Sequence, residues 1–174
     1  PLTNCMVQFY RESQKRFTVD SQPHYLYSPR ELTRWKVALN EAIRDRNDVD
    51  PTFLVQLVIH EGMRIFADRL VLPEEREWSE SRIREIINQE FKCNCEILPK
   101  PILFSQQITD RYSPVEVKTL REYVDNKLRA FSEQEQNVDL VLFDAVLEHI
   151  VRIDRVLKQP LGHLLLVGAS GSGK

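Results

Sequence analysis

A short apolar run, Leu164-Leu165-Leu166-Val167, leads directly into Gly168-Ala169-Ser170-Gly171-Ser172-Gly173-Lys174. The run has no helical period and reads as a buried strand; the loop after it has the spacing G-x-x-x-x-G-K of a phosphate-binding loop. Three glycines let the backbone turn tightly and aim successive N–H groups into a concave nest, and a lysine brings a point charge to the outer phosphates. A flexible glycine-serine tail is the competing reading, and the strand before the loop argues against it. The motif calls next for Ser or Thr to hold Mg²⁺ and for a helix N-terminus facing the phosphates. The sequence carries the front half of such a site. Beginning at Pro1 and stopping inside a motif, it reads as a piece of a longer chain.

With 42% hydrophobic and 29% charged residues over 174, the composition is that of an ordinary globular chain with room for one or two domains. A net charge of −2 gives no electrostatic footprint for nucleic acid or for an anionic membrane. Cys5, Cys93 and Cys95 are odd in number, and neither a leader nor an apolar stretch of spanning length is visible, so free thiols, a reducing cytosol and no membrane insertion are expected. Cys93-Asn94-Cys95 lacks the usual metal spacing.

Taken in order, Met6, Phe9 and Phe17 predict an amphipathic helix from Leu2 to about Val19, followed by a loop to Tyr27. Ser28-Pro29-Arg30-Glu31 is a helix start, with a serine cap, a first-turn proline and a glutamate three residues after the cap. Leu32, Trp35, Leu39 and Ile43 then share one stripe. Arg30 falls off that stripe, either as a solvated charge or pointing at an anion.

Asp50-Pro51 opens a third, largely buried helix expected to run to Leu72. Its His60-Glu61-Gly62-Met63-Arg64 begins like a zinc-protease motif, but Arg64 occupies the second ligand position, so His60 is expected to be a packed or hydrogen-bonded histidine. Pro73 to Glu77 reads as a charged break before a short helix from Ser79, and Cys93 to Thr109 as an extended crossing that places a domain boundary near 105. Ser113-Pro114-Val115-Glu116 repeats the cap chemistry of Ser28 to Glu31 and predicts a helix presenting Val117, Leu120, Val124, Leu128 and Phe131. Asn137 and Asp139 mark its end and the next start. A long helix is expected from Leu140 to Leu157, with Glu148 and Arg152 paired, until Pro160 and Gly162 stop it.

Two long strings stand out: Pro23-His24-Tyr25-Leu26-Tyr27-Ser28-Pro29-Arg30-Glu31-Leu32-Thr33-Arg34-Trp35 and Leu140-Val141-Leu142-Phe143-Asp144, the second continued by Arg152-Ile153-Asp154-Arg155 and Gln159-Pro160-Leu161-Gly162-His163-Leu164-Leu165-Leu166-Val167-Gly168. Together they resemble the dynein heavy chain family, the cytoplasmic type more than the axonemal. The resemblance runs nearly end to end and is weakest over 45–52 and 93–99.

It implies a mainly α chain. Residues 1–105 would be the helical small domain of the third AAA+ module of the motor ring. Residues 106–174 would open the large domain of the fourth, an α/β domain contributing its N-terminal helices, first strand and P-loop. It further implies that Arg30 is a sensor-2 arginine facing the nucleotide of the third module. Gly168, Ala169, Ser170, Gly171, Ser172, Gly173 and Lys174 would form the Walker A loop of the fourth, with ATP or ADP and Mg²⁺ as cofactors in the parent chain.

The partners implied are neighbouring AAA+ modules, microtubules, dynein intermediate and light chains and a lissencephaly-type regulator, in the cytoplasm on the cytoskeleton. No nucleic acid is expected. The implied activity is ATP-driven, minus-end-directed movement on microtubules, with the third and fourth sites regulatory. The acid, sensor-1 and arginine-finger groups would lie outside these residues, so the piece alone is expected to be inactive. A helical docking module for a regulator, with a non-hydrolysing P-loop, is the alternative; an unrelated P-loop ATPase or GTPase fits the two strings poorly.

Overall fold

The computed structural model describes residues 1–109, 111–134, 140–159 and 162–168. The chain is mainly helical and divides into two compact units, Pro1–Ile102 and Leu103–Lys174.

The first unit contains α1 (Leu2–Arg16), α2 (Pro29–Ile43), α3 (Pro51–Gly62) running into a π-helical turn (Met63–Ala67), α4 (Pro73–Phe91) and a short 3₁₀ turn, Cys95–Ile97. Helix α3 is central. Val55, Leu57, Val58, Ile59, His60, Glu61 and Gly62 are all buried, as expected of a helix covered on more than one face. Phe66, from the π-turn, packs edge to face with Phe9 at 5.2 Å and Trp35 at 5.5 Å between ring centroids, and stacks on Tyr27 at 5.6 Å. These rings are the heart of the core, and truncating one such side chain costs about 3–5 kcal/mol.

Local chemistry explains the helix starts. Ser28 caps α2 in a complete capping box, and Asp50 caps α3 by accepting from Thr52 N–H at 2.9 Å and Phe53 N–H at 3.2 Å. The expected break at Pro73–Glu77 is instead the first turn of α4: Pro73 takes the first helical position and Glu75 accepts from Leu72 N–H at 3.2 Å. The helix expected to run to Leu72 gives up α-geometry after Gly62, where Asp68 N–H bonds to Met63 O across a π-turn. Helix α1 ends at Arg16 rather than Val19, because Phe17 turns extended and buries its ring against Tyr25 and Trp78.

The second unit is built from β1 (Leu103–Ser105), β2 (Ser113–Val115), α5 (Val117–Gln134) and α6 (Asp144–Lys158). The strands pair antiparallel with Leu103 opposite Val115, Phe104 opposite Pro114 and Ser105 opposite Ser113. The extended crossing thus ends in a strand, and the expected cap at Ser113 is corrected: Ser113-Pro114-Val115 is β2, and helix begins only at Val117. Ser-Pro serves either role, since the residue before proline favours extended backbone and proline is tolerated in an edge strand.

Leu103, Leu120, Leu147 and Val151 form this unit's buried core, with Val115, Val117, Val124 and Leu142 packed against it. Of the expected α5 stripe only Leu120 is fully buried, and Phe131 is exposed. Residues 140–143 are not helical, and α6 starts at Asp144, where Arg121 of α5 donates to Leu142 O and to Asp144 Oδ1 at 2.5 Å. The Glu148–Arg152 pair is present at 2.8 Å. Asn137 and Asp139 lie outside the described residues.

The buried strand expected at Leu164–Val167 is also corrected. Among the described residues this segment joins no ladder, and Leu165 and Val167 are each 85% exposed. A strand of a parallel sheet acquires its hydrogen bonds and its burial from neighbouring strands; β1 and β2 pair with each other and not with it.

Candidate functional site

The candidate site residues lie in two places. Arg30 sits on the first turn of α2, exposed, with its backbone N–H donating to Ser28 Oγ at 3.3 Å. Gly168 is exposed in the extended segment after α6; Ala169, Ser170, Gly171, Ser172, Gly173 and Lys174 lie outside the described residues. In composition, residues 168–174 offer backbone donors and one ammonium and contain no carboxylate, a donor set suited to an anion.

Glu31 is the one acid of the first turn of α2 and is 6% exposed. It is committed elsewhere than to Arg30. Its Oε2 accepts from Ser28 N–H at 2.7 Å and from Ser28 Oγ at 3.0 Å, and its Oε1 accepts from Arg69 Nη2 at 3.2 Å. Burial works to raise the Glu31 pKa, but the Ser28 N–H and hydroxyl and the Arg69 guanidinium outweigh it and hold the carboxyl below its ordinary value. The first turn therefore keeps an anionic capping carboxylate and leaves an arginine free to face outward at the positive end of a helix.

The segment before the cap is laced to residues 66–75. Tyr27 hydroxyl donates to Phe66 O at 2.9 Å, His24 Nε2 donates to Arg69 O at 3.0 Å, and Arg69 Nη1 donates to Leu26 O at 2.9 Å. Tyr25 hydroxyl accepts from Val71 N–H at 2.9 Å and donates to the Glu75 carboxylate. Sequence reading placed Ser28, Arg30 and Glu31 at this helix start because capping is local; it did not single out Arg69, whose partners are dozens of residues away and which carries no motif.

His60, Cys5 and Cys95 are buried in the first unit. His60 Nδ1 donates to Ile102 O at 2.8 Å in a buried setting, as expected of a hydrogen-bonded core histidine. Cys93 and Cys95 sulfurs are 3.7 Å apart, and among the described residues no group of three His, Cys, Asp or Glu could hold a metal ion. No helix among them is long and apolar enough to cross a membrane.

Comparison with known proteins agrees along the whole chain. The family model described as "Dynein heavy chain, ATPase lid domain" matches residues 1–76, and that described as "P-loop containing dynein motor region D4" matches 138–174. The chain is 54% identical to the cytoplasmic dynein heavy chain of Paramecium tetraurelia and 53% identical to that of Dictyostelium discoideum, each over 99% of this chain. Against that of Drosophila melanogaster it is 51% identical over 100% of this chain. In each case it spans 4% of the relative's length. A lid-domain match followed by a P-loop match, at such identity without interruption, places the chain in the dynein heavy chain family.

Proposed function

We propose that this chain is the part of a cytoplasmic, cytoskeletal motor ATPase that links two regulatory nucleotide sites of its AAA+ ring, in a parent protein moving toward microtubule minus ends. The observation that carries the reading is the tandem of matches, an ATPase lid domain over 1–76 and a P-loop motor region over 138–174. In it, residues 1–105 are the small domain of the third module and 106–174 open the large domain of the fourth. Arg30 faces the phosphates of the nucleotide held by the third module, which suits a planar, permanently charged guanidinium at an exposed helix start. Gly168 to Lys174 cradle ATP or ADP of the fourth; Mg²⁺, when bound, would neutralise phosphate charge there. These two sets of residues serve different nucleotides.

The apolar residues Leu140, Val141, Phe143, Leu157, Leu165 and Val167 are exposed, and in this reading other parts of the same ring cover them. The outside partners in the same reading are microtubules, intermediate and light chains and a lissencephaly-type regulator. The test is microtubule-stimulated ATP hydrolysis by the parent chain, wild type beside Lys174→Ala. A changed rate or changed microtubule release in the variant supports a working regulatory site. Stimulation untouched by the variant leaves the loop structural and favours the docking-module reading; absence of stimulation in a folded preparation overturns the motor. The 174-residue chain alone should turn over no ATP. Turnover that survives repurification and disappears on Lys174→Ala contradicts that expectation.

A further inference from the structure

The orientation of the Arg30 guanidinium depends on the turn that carries it, and that turn is anchored from outside its own helix. Arg69 lies in the connection between the π-turn and α4. It touches the approach to α2 at three points: Nη1 on Leu26 O at 2.9 Å, Nη2 on Glu31 Oε1 at 3.2 Å, and its guanidinium over the Tyr27 ring at 4.9 Å. Tyr27 is itself fixed, stacked on Phe66 and bonded to Phe66 O at 2.9 Å. Phe66 in turn is wedged between Phe9 and Trp35. The first turn of α2 is thus tied through one arginine to the aromatic core.

We propose that Arg69 is a positioning residue for Arg30: by clamping Leu26, Tyr27 and Glu31 it holds the first turn of α2, and the arginine on it, in one orientation toward a nucleotide phosphate. This rests on the reading of Arg30 as the phosphate-facing arginine. Three features favour a clamp over a simple stabilising ion pair. Glu31 also fastens the backbone two residues before Arg30, through Ser28 N–H, so movement of its carboxylate moves that backbone. The Glu31 side chain is 7% exposed, and leaving such a carboxylate without its cation is costly enough to force rearrangement. Arg69 is a fork with two separate acceptors and a ring beneath it, a geometry lysine does not reproduce. Orientation matters because an ionic hydrogen bond to phosphate decays steeply with misplacement.

The experiment is a double-mutant cycle in the full parent chain, reading binding of a fluorescent methylanthraniloyl-ADP with Mg²⁺. Arg30→Ala is expected to weaken one component of the isotherm by about 10-fold or more, the scale of a charged hydrogen bond. Arg69→Met should weaken that same component by roughly 3- to 10-fold, and the double variant should bind no more weakly than Arg30→Ala alone. Arg69→Lys should recover part of the loss. Glu31→Gln, which keeps the shape and the bond from Ser28, should show a smaller loss of about 2-fold that also vanishes beside Arg30→Ala. Wild-type affinity in Arg69→Met, or a loss that adds in full to that of Arg30→Ala, overturns the positioning role while leaving Arg30 intact as a contact. Unchanged affinity in Arg30→Ala overturns the phosphate-facing reading and the clamp with it. If Arg69→Met does not fold, the Glu31→Gln cycle decides on the same criteria.

Discussion

Gly62 stands so close to Trp35 that a Cβ added to it would come 2.6 Å from the indole Cζ2, and equally 2.6 Å from Ile83 Cδ1. The glycine lies near the end of a buried helix, where alanine would otherwise be favoured by about 1 kcal/mol. Here close approach outweighs propensity. Trp35 and Ile83 are 0% and 1% exposed, so neither neighbour has solvent to move into.

Gly62→Ala is therefore expected to destabilise by about 1–3 kcal/mol, the usual cost of overpacking. The check is denaturant unfolding: the midpoint should fall with an unchanged slope. A midpoint equal to wild type or higher would mean that the core repacks around the methyl without cost.

Glu12 of α1 accepts from Arg82 of α4, through Nη2 at 2.8 Å and through Nε, and from Gln8 at 3.1 Å. The Arg82 bond is the main influence and, against an opposing effect of burial, holds the Glu12 carboxyl below its ordinary 4.5. A depressed carboxylate pKa contributes stability that is present above 4.5 and lost as pH falls through the folded value. Glu12→Gln should cost up to about 1 kcal/mol near neutrality, because the pair is partly exposed. Denaturation of both forms at neutral pH and well below 4.5 should show the gap closing on acidification. A gap that widens refutes the assignment.

Burial pushes the Cys5 thiol up to about 11 and the Cys95 thiol up to about 12, while Cys93 beside Cys95 is only half-buried. The thiolate is the reactive form, so iodoacetamide under mildly alkaline native conditions should alkylate Cys93 first and spare the other two until unfolding. Peptide mapping with time reads the order. The sign of the linkage also follows: a raised pKa contributes stability that is whole below 9.0 and lost as pH rises through about 11 for Cys5. Replacing Cys5 with Ala should thus flatten the alkaline limb of the stability curve. Early modification of Cys5 in the native chain would contradict the buried setting.

How much of this was legible in sequence depended on how local the cause was. Ser28-Pro29-Arg30-Glu31 and Asp50-Pro51 contain their own caps, so these helix starts could be read from a few residues, and the structure has them there. The same grammar failed at Ser113-Pro114. The difference is Leu103, which lies opposite Val115 and draws the segment into a strand pair. At Pro73 the reverse error arose: charge and proline resembled a break, yet proline at a first helical position with Glu75 returning to Leu72 N–H is a start.

The anchoring of Arg30 was legible only in half. Its helix position and its freedom from the apolar stripe followed from period, whereas the hold exerted by Arg69, 38 residues from Glu31, left no pattern along the chain.

By itself, then, the sequence determined the family, through two long strings, and the starts of α2 and α3, through short-range capping. Tertiary structure alone decided three things: that Gly62 rather than alanine must face Trp35, that Ser113–Val115 becomes a strand, and that a distant arginine fastens the first turn of α2. Leu164–Val167 makes the same point from the other side, since among the described residues its β-like composition joins no ladder. Caps and periods act over one or two turns of backbone; burial, strand pairing and ion-pair geometry exist only once remote segments meet.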